Sequence, residues 1–108
     1  MLIVNVKLVG LDGLEAICGQ YVGRPSVLGN PFVIGKHGSR EQVIELYRKW
    51  LYQQLVSGNQ AVQHAIEQLQ DDSILGCWCH PEPCHAAVIE SAWHWWMSEG
   101  KAIYGGKS

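Results

Sequence analysis

Apolar positions recur along this chain at two spacings, and the change from one to the other marks out its elements. Leu2 to Leu8 alternates Leu, Ile and Val with polar residues, which predicts a buried strand. Asp12-Gly13 predicts a turn, and Glu15 to Val22 a second strand. Residues 23–32 carry no periodicity. Beyond them, Ser39 followed by Gln42 is a capping-box signature, and Val43, Tyr47, Trp50, Leu51 and Leu55 then repeat at helical spacing until Gly58. A second helix is expected after Asn59, burying Val62, Ile66 and Leu69 and closing at Asp71-Asp72. Ile74 to Cys79 predicts a short strand. A last helix from Cys84 or His85 sets Val88, Ile89, Ala92, Trp93 and Trp96 on one face and stops at Gly100. Strands interleaved with helices predict an α/β fold over residues 1–108 as a single domain. It would be a small Rossmann-like unit with a short, mostly parallel sheet flanked by three helices.

Composition narrows the functions open to such a domain. A hydrophobic fraction of 47% against 17% charged residues describes a chain that can bury a core. The formal net charge of -2 disfavours duplex DNA as a partner, which ordinarily demands a basic face. It leaves room for a small anion held by one or two cations. No apolar run approaches membrane length, and the N-terminal run is too short for a signal peptide. A cytoplasmic protein with four reduced cysteines, without a disulfide framework and without a cofactor, is therefore expected.

Candidate chemistry gathers in two segments. In Cys77-Trp78-Cys79-His80-Pro81-Glu82-Pro83-Cys84-His85, a strand gives way to a stiff turn and then to a helix start. Ligands of parallel sheets sit at this end of the strands, where helix amides favour anions. A thiol at a helix N-terminus is acidified, so Cys84 is a candidate nucleophile, and His85 is a candidate donor or proton carrier. Three uses compete: a ligand pocket including Cys79, His80, Cys84 and His85; catalysis by Cys84 with a histidine base; and a metal site from Cys77, Cys79, Cys84 and His85 or His80. The spacing speaks against the metal, since Cys77 and Cys79 are one residue apart on a strand and Cys84 and His85 are adjacent. As small buried hydrophobes, Cys77 and Cys79 have the simpler explanation. The second segment, Gly23-Arg24-Pro25-Ser26 continuing to Asn30, puts a guanidinium and a hydroxyl on a rigid loop, an arrangement suited to phosphate. The alternative is that Arg24 pairs with Glu82, or holds a carbonyl, to lock the loop. Lys36 and Arg40, flanking His37-Gly38, are expected to form a solvated basic loop, with extension of the anion site as the alternative.

The two segments together, Tyr21-Val22-Gly23-Arg24-Pro25-Ser26-Val27-Leu28-Gly29-Asn30-Pro31-Phe32 and the Cys77–His85 turn, resemble the signature of a small family of unknown function common in bacteriophage genomes. The resemblance runs from about Ile3 to Ile89, and the Cys-His turn is also similar to one in a second uncharacterised family, where it ends in Cys-His-Arg. What it implies is a phage or prophage origin, a host-cytoplasmic location and a nucleotide-handling fold. It implies no established activity. One departure is Ala87, where the family often carries an acidic residue, and this favours binding over turnover.

The leading expectation is a protein that binds a phosphate-bearing nucleotide or nucleotide-derived molecule through Gly23, Arg24, Pro25, Ser26, Asn30 and the Cys-His turn, with sequestration of a host defence signal as its expected use. The alternatives are a hydrolase or glycosyl-transfer enzyme acting on a nucleotide or nucleoside, and a protein-interaction module. The last rests on Trp95, which falls opposite the buried face of the final helix and would anchor a homodimer. Otherwise Trp95 lies under Ile103 and Tyr104 of the tail.

Overall fold

The computed structural model describes residues 1–24, 26–78 and 85–105. Three parallel strands, β1 (Leu2–Asn5), β2 (Gln20–Tyr21) and β3 (Ile74–Cys77), lie in the order β1-β3-β2, with Asn5 opposite Cys77 and Tyr21 opposite Gly76. The fold is thus mixed α/β around a small parallel sheet. Helix α1 (Val6–Ala16) links β1 to β2, helices α2 (Arg40–Val56) and α3 (Gln60–Glu67) link β2 to β3, and α4 (His85–Trp95) follows.

The sheet is covered on both faces. Leu75 and Cys77 point into a core shared with Tyr47, Leu51, Leu55, Ile66 and Ile89, all fully buried. Gly76 turns the other way, toward α1. A Cβ there would lie 2.6 Å from Leu14 and 3.1 Å from Val6, so the missing side chain is what lets α1 settle on the strand.

Most boundaries follow from local chemistry. Ser39 and Gln42 exchange both capping-box bonds at the start of α2. Asn59 accepts from the Ala61 and Val62 amides at the start of α3. The N-terminal third differs from expectation. The first strand ends at Asn5, because the Asn5 side chain accepts from the Lys7 amide at 2.7 Å and caps α1. Asp12-Gly13 lies within that helix, which bends at Gly10, and the second strand shrinks to two residues. Alternating Leu and Val misled here because α1 keeps Leu8 and Leu11 outward while burying Val6 and Leu14. The expected strand from Ile74 ends at Cys77, and Cys79 lies outside the described residues.

Nor does Gly100 stop the last helix. The helical run continues through a π turn, Trp96–Gly100, into α5 (Lys101–Tyr104). Gly100 has helical dihedrals, and a Cβ on it would strike the Trp95 ring at 2.7 Å. Its role is to make room for that ring. With α1 and α5 the described residues form more helices than the three expected. Among the described residues, no helix is long and apolar enough to cross a membrane.

Candidate functional site

Parallel pairing brings the ends of β2 and β3 out side by side, so the loop after Tyr21 and the residues after Cys77 leave the sheet together. The Val22 amide extends the ladder by one bond, to Gly76 O at 3.0 Å. Two tight turns follow, closed by Ser26 N to Gly23 O and by Gly29 N to Ser26 O, both 2.9 Å. They fold Gly29 onto the Gly23-Arg24 backbone. A Cβ at Gly29 would lie 3.0 Å from both Arg24 Cα and Gly23 O, leaving no space for any side chain.

Side chains then lock the loop. Arg24 Nη1 donates to Asn30 O at 3.2 Å, and Tyr21 Oη donates to Arg24 O at 2.6 Å. Trp78 Nε1 donates to Tyr21 Oη at 2.8 Å, tying the loop to the end of β3. From the core side, the fully buried Tyr47 of α2 donates its hydroxyl proton to Leu28 O at 2.7 Å. Asn30 Oδ1 accepts from the Phe32 amide at 2.9 Å and turns the chain toward α2.

These ties leave a cavity of about 420 Å³ between the loop, the first turns of α2, Trp78 and the start of α4. Its walls are apolar and aromatic (Tyr21, Phe32, Val33, Ile34, Ile44 and Trp78), with Arg24, Asn30, Arg40 and His85 as the polar groups. Two guanidiniums on such a wall, Arg24 exposed and Arg40 half-buried, provide planar donor forks of the kind that match phosphate.

His85 is the best-determined group of the site. Its ring nitrogen Nε2 lies 2.6 Å from Val22 O, so Nε2 carries the proton and donates to that carbonyl, leaving Nδ1 as the acceptor of a neutral ring. The ring also meets the edge or face of Tyr47, with centroids 5.1 Å apart and planes near perpendicular. Burial holds its pKa below the ordinary histidine range, and the Arg24 charge pushes the same way, against the Val22 carbonyl and Cys77. The histidine at the start of α4 is thus kept neutral on the cavity wall.

Of the residues singled out from sequence, the fold brings Gly23, Arg24, Asn30 and His85 to one cavity, and Arg40 joins them. Arg24 both faces the cavity and holds a loop carbonyl, so the locking alternative is part of the arrangement. Ser26 stands elsewhere. Its Oγ is buried without a hydrogen-bond partner beside Val22 and Leu28, on a separate cavity of about 230 Å³. Cys77 is wholly buried in the core, the simpler of its two readings. Pro25, Cys79, His80, Glu82 and Cys84 lie outside the described residues. Among the described residues, no three His, Cys, Asp or Glu side chains come together to hold a metal. His37 accepts from the Val33 amide through Nδ1 at 2.8 Å and meets the Phe32 ring, shaping the cavity rim. Trp95 is half-buried between Tyr52 and Tyr104, with ring centroids 5.2 and 6.1 Å away, and so lies under the tail.

The sequence reading passed over Trp78 and the apolar wall of Val33, Ile34, Val43 and Ile44. The available signal was a large aromatic directly after a strand, with nothing in the helical pattern to bury it.

Comparison with known proteins places this site in a family. An uncharacterised 12.4 kDa protein from the nrdA-td intergenic region of Enterobacteria phage T4 is 37% identical over 71 residues. The match covers 66% of this chain and 54% of that protein, about half the relative's length. No solved structure matches. The sequence pattern of one family covers residues 11–95, a span that includes the 23–30 loop, α2, Trp78 and His85. The chain belongs to that family, a domain of unknown function designated DUF4326.

Proposed function

We propose that this protein binds a phosphate-bearing nucleotide, or a molecule derived from one, in the cavity at the carboxyl ends of β2 and β3. The observation that carries the reading is the pairing of Arg24 and Arg40 on the wall of an otherwise apolar, aromatic cavity of about 420 Å³. Small-molecule sites combine mostly apolar walls with a few placed polar groups, and arginine pairs bidentately with phosphate. The position outside the ends of parallel strands is where ligands of Rossmann-like sheets bind, and the proposal takes the three-strand sheet as a reduced version of that arrangement. Likeness to a phage protein extends the proposal to capture of a host signal nucleotide.

One observation favours a second reading. His85 is neutral, buried and on the cavity wall, as a general base must be. With Cys84 before it in the sequence, the same cavity would serve a nucleotide- or nucleoside-processing enzyme.

Denaturing the purified protein and weighing what it releases tests the first reading and separates it from the second. A binding protein, incubated with a nucleotide mixture, releases an intact nucleotide-like mass, and Arg24→Ala and Arg40→Ala release little or none. Release of an altered mass moves the case to catalysis. Equal capture by wild type and both arginine variants removes the phosphate site.

A further inference from the structure

Trp78 is a large aromatic on the cavity wall whose role the phosphate site does not explain. It lines the cavity immediately after β3 and keeps 49% of its surface exposed. Its single polar atom is engaged inside the protein: Nε1 donates to Tyr21 Oη at 2.8 Å, and Tyr21 Oη donates to Arg24 O at 2.6 Å. The direction of this relay is fixed. An indole nitrogen only donates, and a backbone carbonyl only accepts. Neither aromatic therefore has an N–H or O–H to offer a ligand, and the exposed part of Trp78 is almost entirely ring carbon. The relay also keeps the ring in place without burying it, so an open π surface is held next to two guanidiniums.

We propose that Trp78 is a stacking platform for the base of a single nucleotide whose phosphate is held by Arg24 and Arg40. This rests on the phosphate-site reading above and names its ligand class. The cavity of about 420 Å³ lies at the small end of the roughly 300–1,000 Å³ typical of small-molecule sites, a size for one base with its sugar phosphate and not for a dinucleotide. Stacking accepts any base, because every base has a π face, and no donor of the Trp78–Tyr21 pair reads the base edge. Affinity then follows stacking area: adenine and guanine monophosphates bind alike, and pyrimidine monophosphates bind more weakly.

Calorimetric titration with AMP, CMP and ribose 5-phosphate tests this, the last probe having the phosphate and no base. Wild type should bind AMP more tightly than CMP, and CMP more tightly than ribose 5-phosphate. Trp78→Ala should lose roughly tenfold or more in AMP affinity, the scale of one lost base stack, while its ribose 5-phosphate affinity stays within about twofold. Trp78→Phe keeps a ring, drops the N–H, and should retain most of the AMP affinity; it carries the test if the alanine variant does not fold. Equal weakening of AMP and ribose 5-phosphate by Trp78→Ala would make Trp78 a brace for the Tyr21–Arg24 loop and overturn the platform. So would AMP binding no tighter than ribose 5-phosphate in wild type, a result that leaves the phosphate site standing. Failure of all three probes to bind wild type removes the phosphate site and the platform together.

Discussion

Replacing Tyr47 with Phe removes one oxygen atom and tests whether the core positions the ligand loop. Tyr47 is fully buried, and its hydroxyl donates to Leu28 O at 2.7 Å, 19 residues away and inside the loop. The ring packs against Trp50 at 5.6 Å and His85 at 5.1 Å, and Phe preserves both contacts. The substitution therefore acts at the hydroxyl and leaves the ring packing in place. Leu28 is 5% exposed, so its carbonyl has little access to water once the hydroxyl is gone. Leaving a buried acceptor unsatisfied costs about 1–3 kcal/mol. For a domain of this size that lowers the melting temperature by roughly 5–15 °C. Urea unfolding should show a lower midpoint with an unchanged slope, since the surface exposed on unfolding is the same. Nucleotide affinity should fall with it, because Leu28 and Arg24 belong to the same pair of turns. An unfolding free energy in water within about 0.5 kcal/mol of wild type, the scatter of an ordinary surface change, would show that this hydrogen bond does not hold the loop.

Other perturbations probe the remaining links. Gly29→Ala sets a methyl group against the Arg24 and Gly23 backbone, which cannot give way as a side chain would; it should cost about 1–3 kcal/mol in urea unfolding and abolish ligand capture. Gly76→Ala meets only Leu14 and Val6 side chains on the far face of the sheet, so it should lower stability without weakening binding once the folded fraction is accounted for. Burial holds the folded-state pKa of His85 below its reference of 6.5, so the unfolded chain takes up the proton first as pH falls. Its contribution to stability is therefore full above about pH 6.5 and is lost below it, at up to about 1.4 kcal/mol per pH unit; His85→Gln should flatten that part of the stability profile. Trp95→Ala should lower the unfolding free energy by about 2 kcal/mol and leave the light-scattering mass unchanged, whereas a change of mass would return Trp95 to an interface.

Where sequence signals were local and chemical, they located the elements correctly. The Ser39–Gln42 capping box, the Asn59 cap and the apolar stripe through Tyr47, Leu51 and Leu55 specify α2 and the start of α3, whereas α3 ends at Glu67, short of the expected close at Asp71-Asp72. The N-terminal segment was not legible, because α1 exposes Leu8 and Leu11 and so breaks the rule that an apolar pattern faces the core. Gly100 read as a stop signal, yet its role depends on the Trp95 ring, a contact that spacing alone does not reveal. Within the site, Gly23, Arg24, Asn30 and His85 stood out by residue type and loop context. Arg40 was weighed only as an extension of the anion site, and Trp78 was passed over, since their place on the cavity depends on β2 and β3 ending side by side and on α2 returning across the loop. Ser26 shows the converse: proximity to Arg24 in sequence put it in the site, and the turn carries its hydroxyl to another cavity.

Whether the cavity takes up a nucleotide, as proposed, is read directly by titrating ¹⁵N-labelled protein with AMP and following the NMR spectrum. The Trp78 indole N–H signal reports on the wall itself, and the amides of Gly23, Arg24, Asn30 and Phe32 report on the loop. Saturable shifts concentrated on those signals, with the amides of α1 and α5 unmoved, are the predicted result. Shifts confined to other surfaces, or none at millimolar AMP, would contradict the claim.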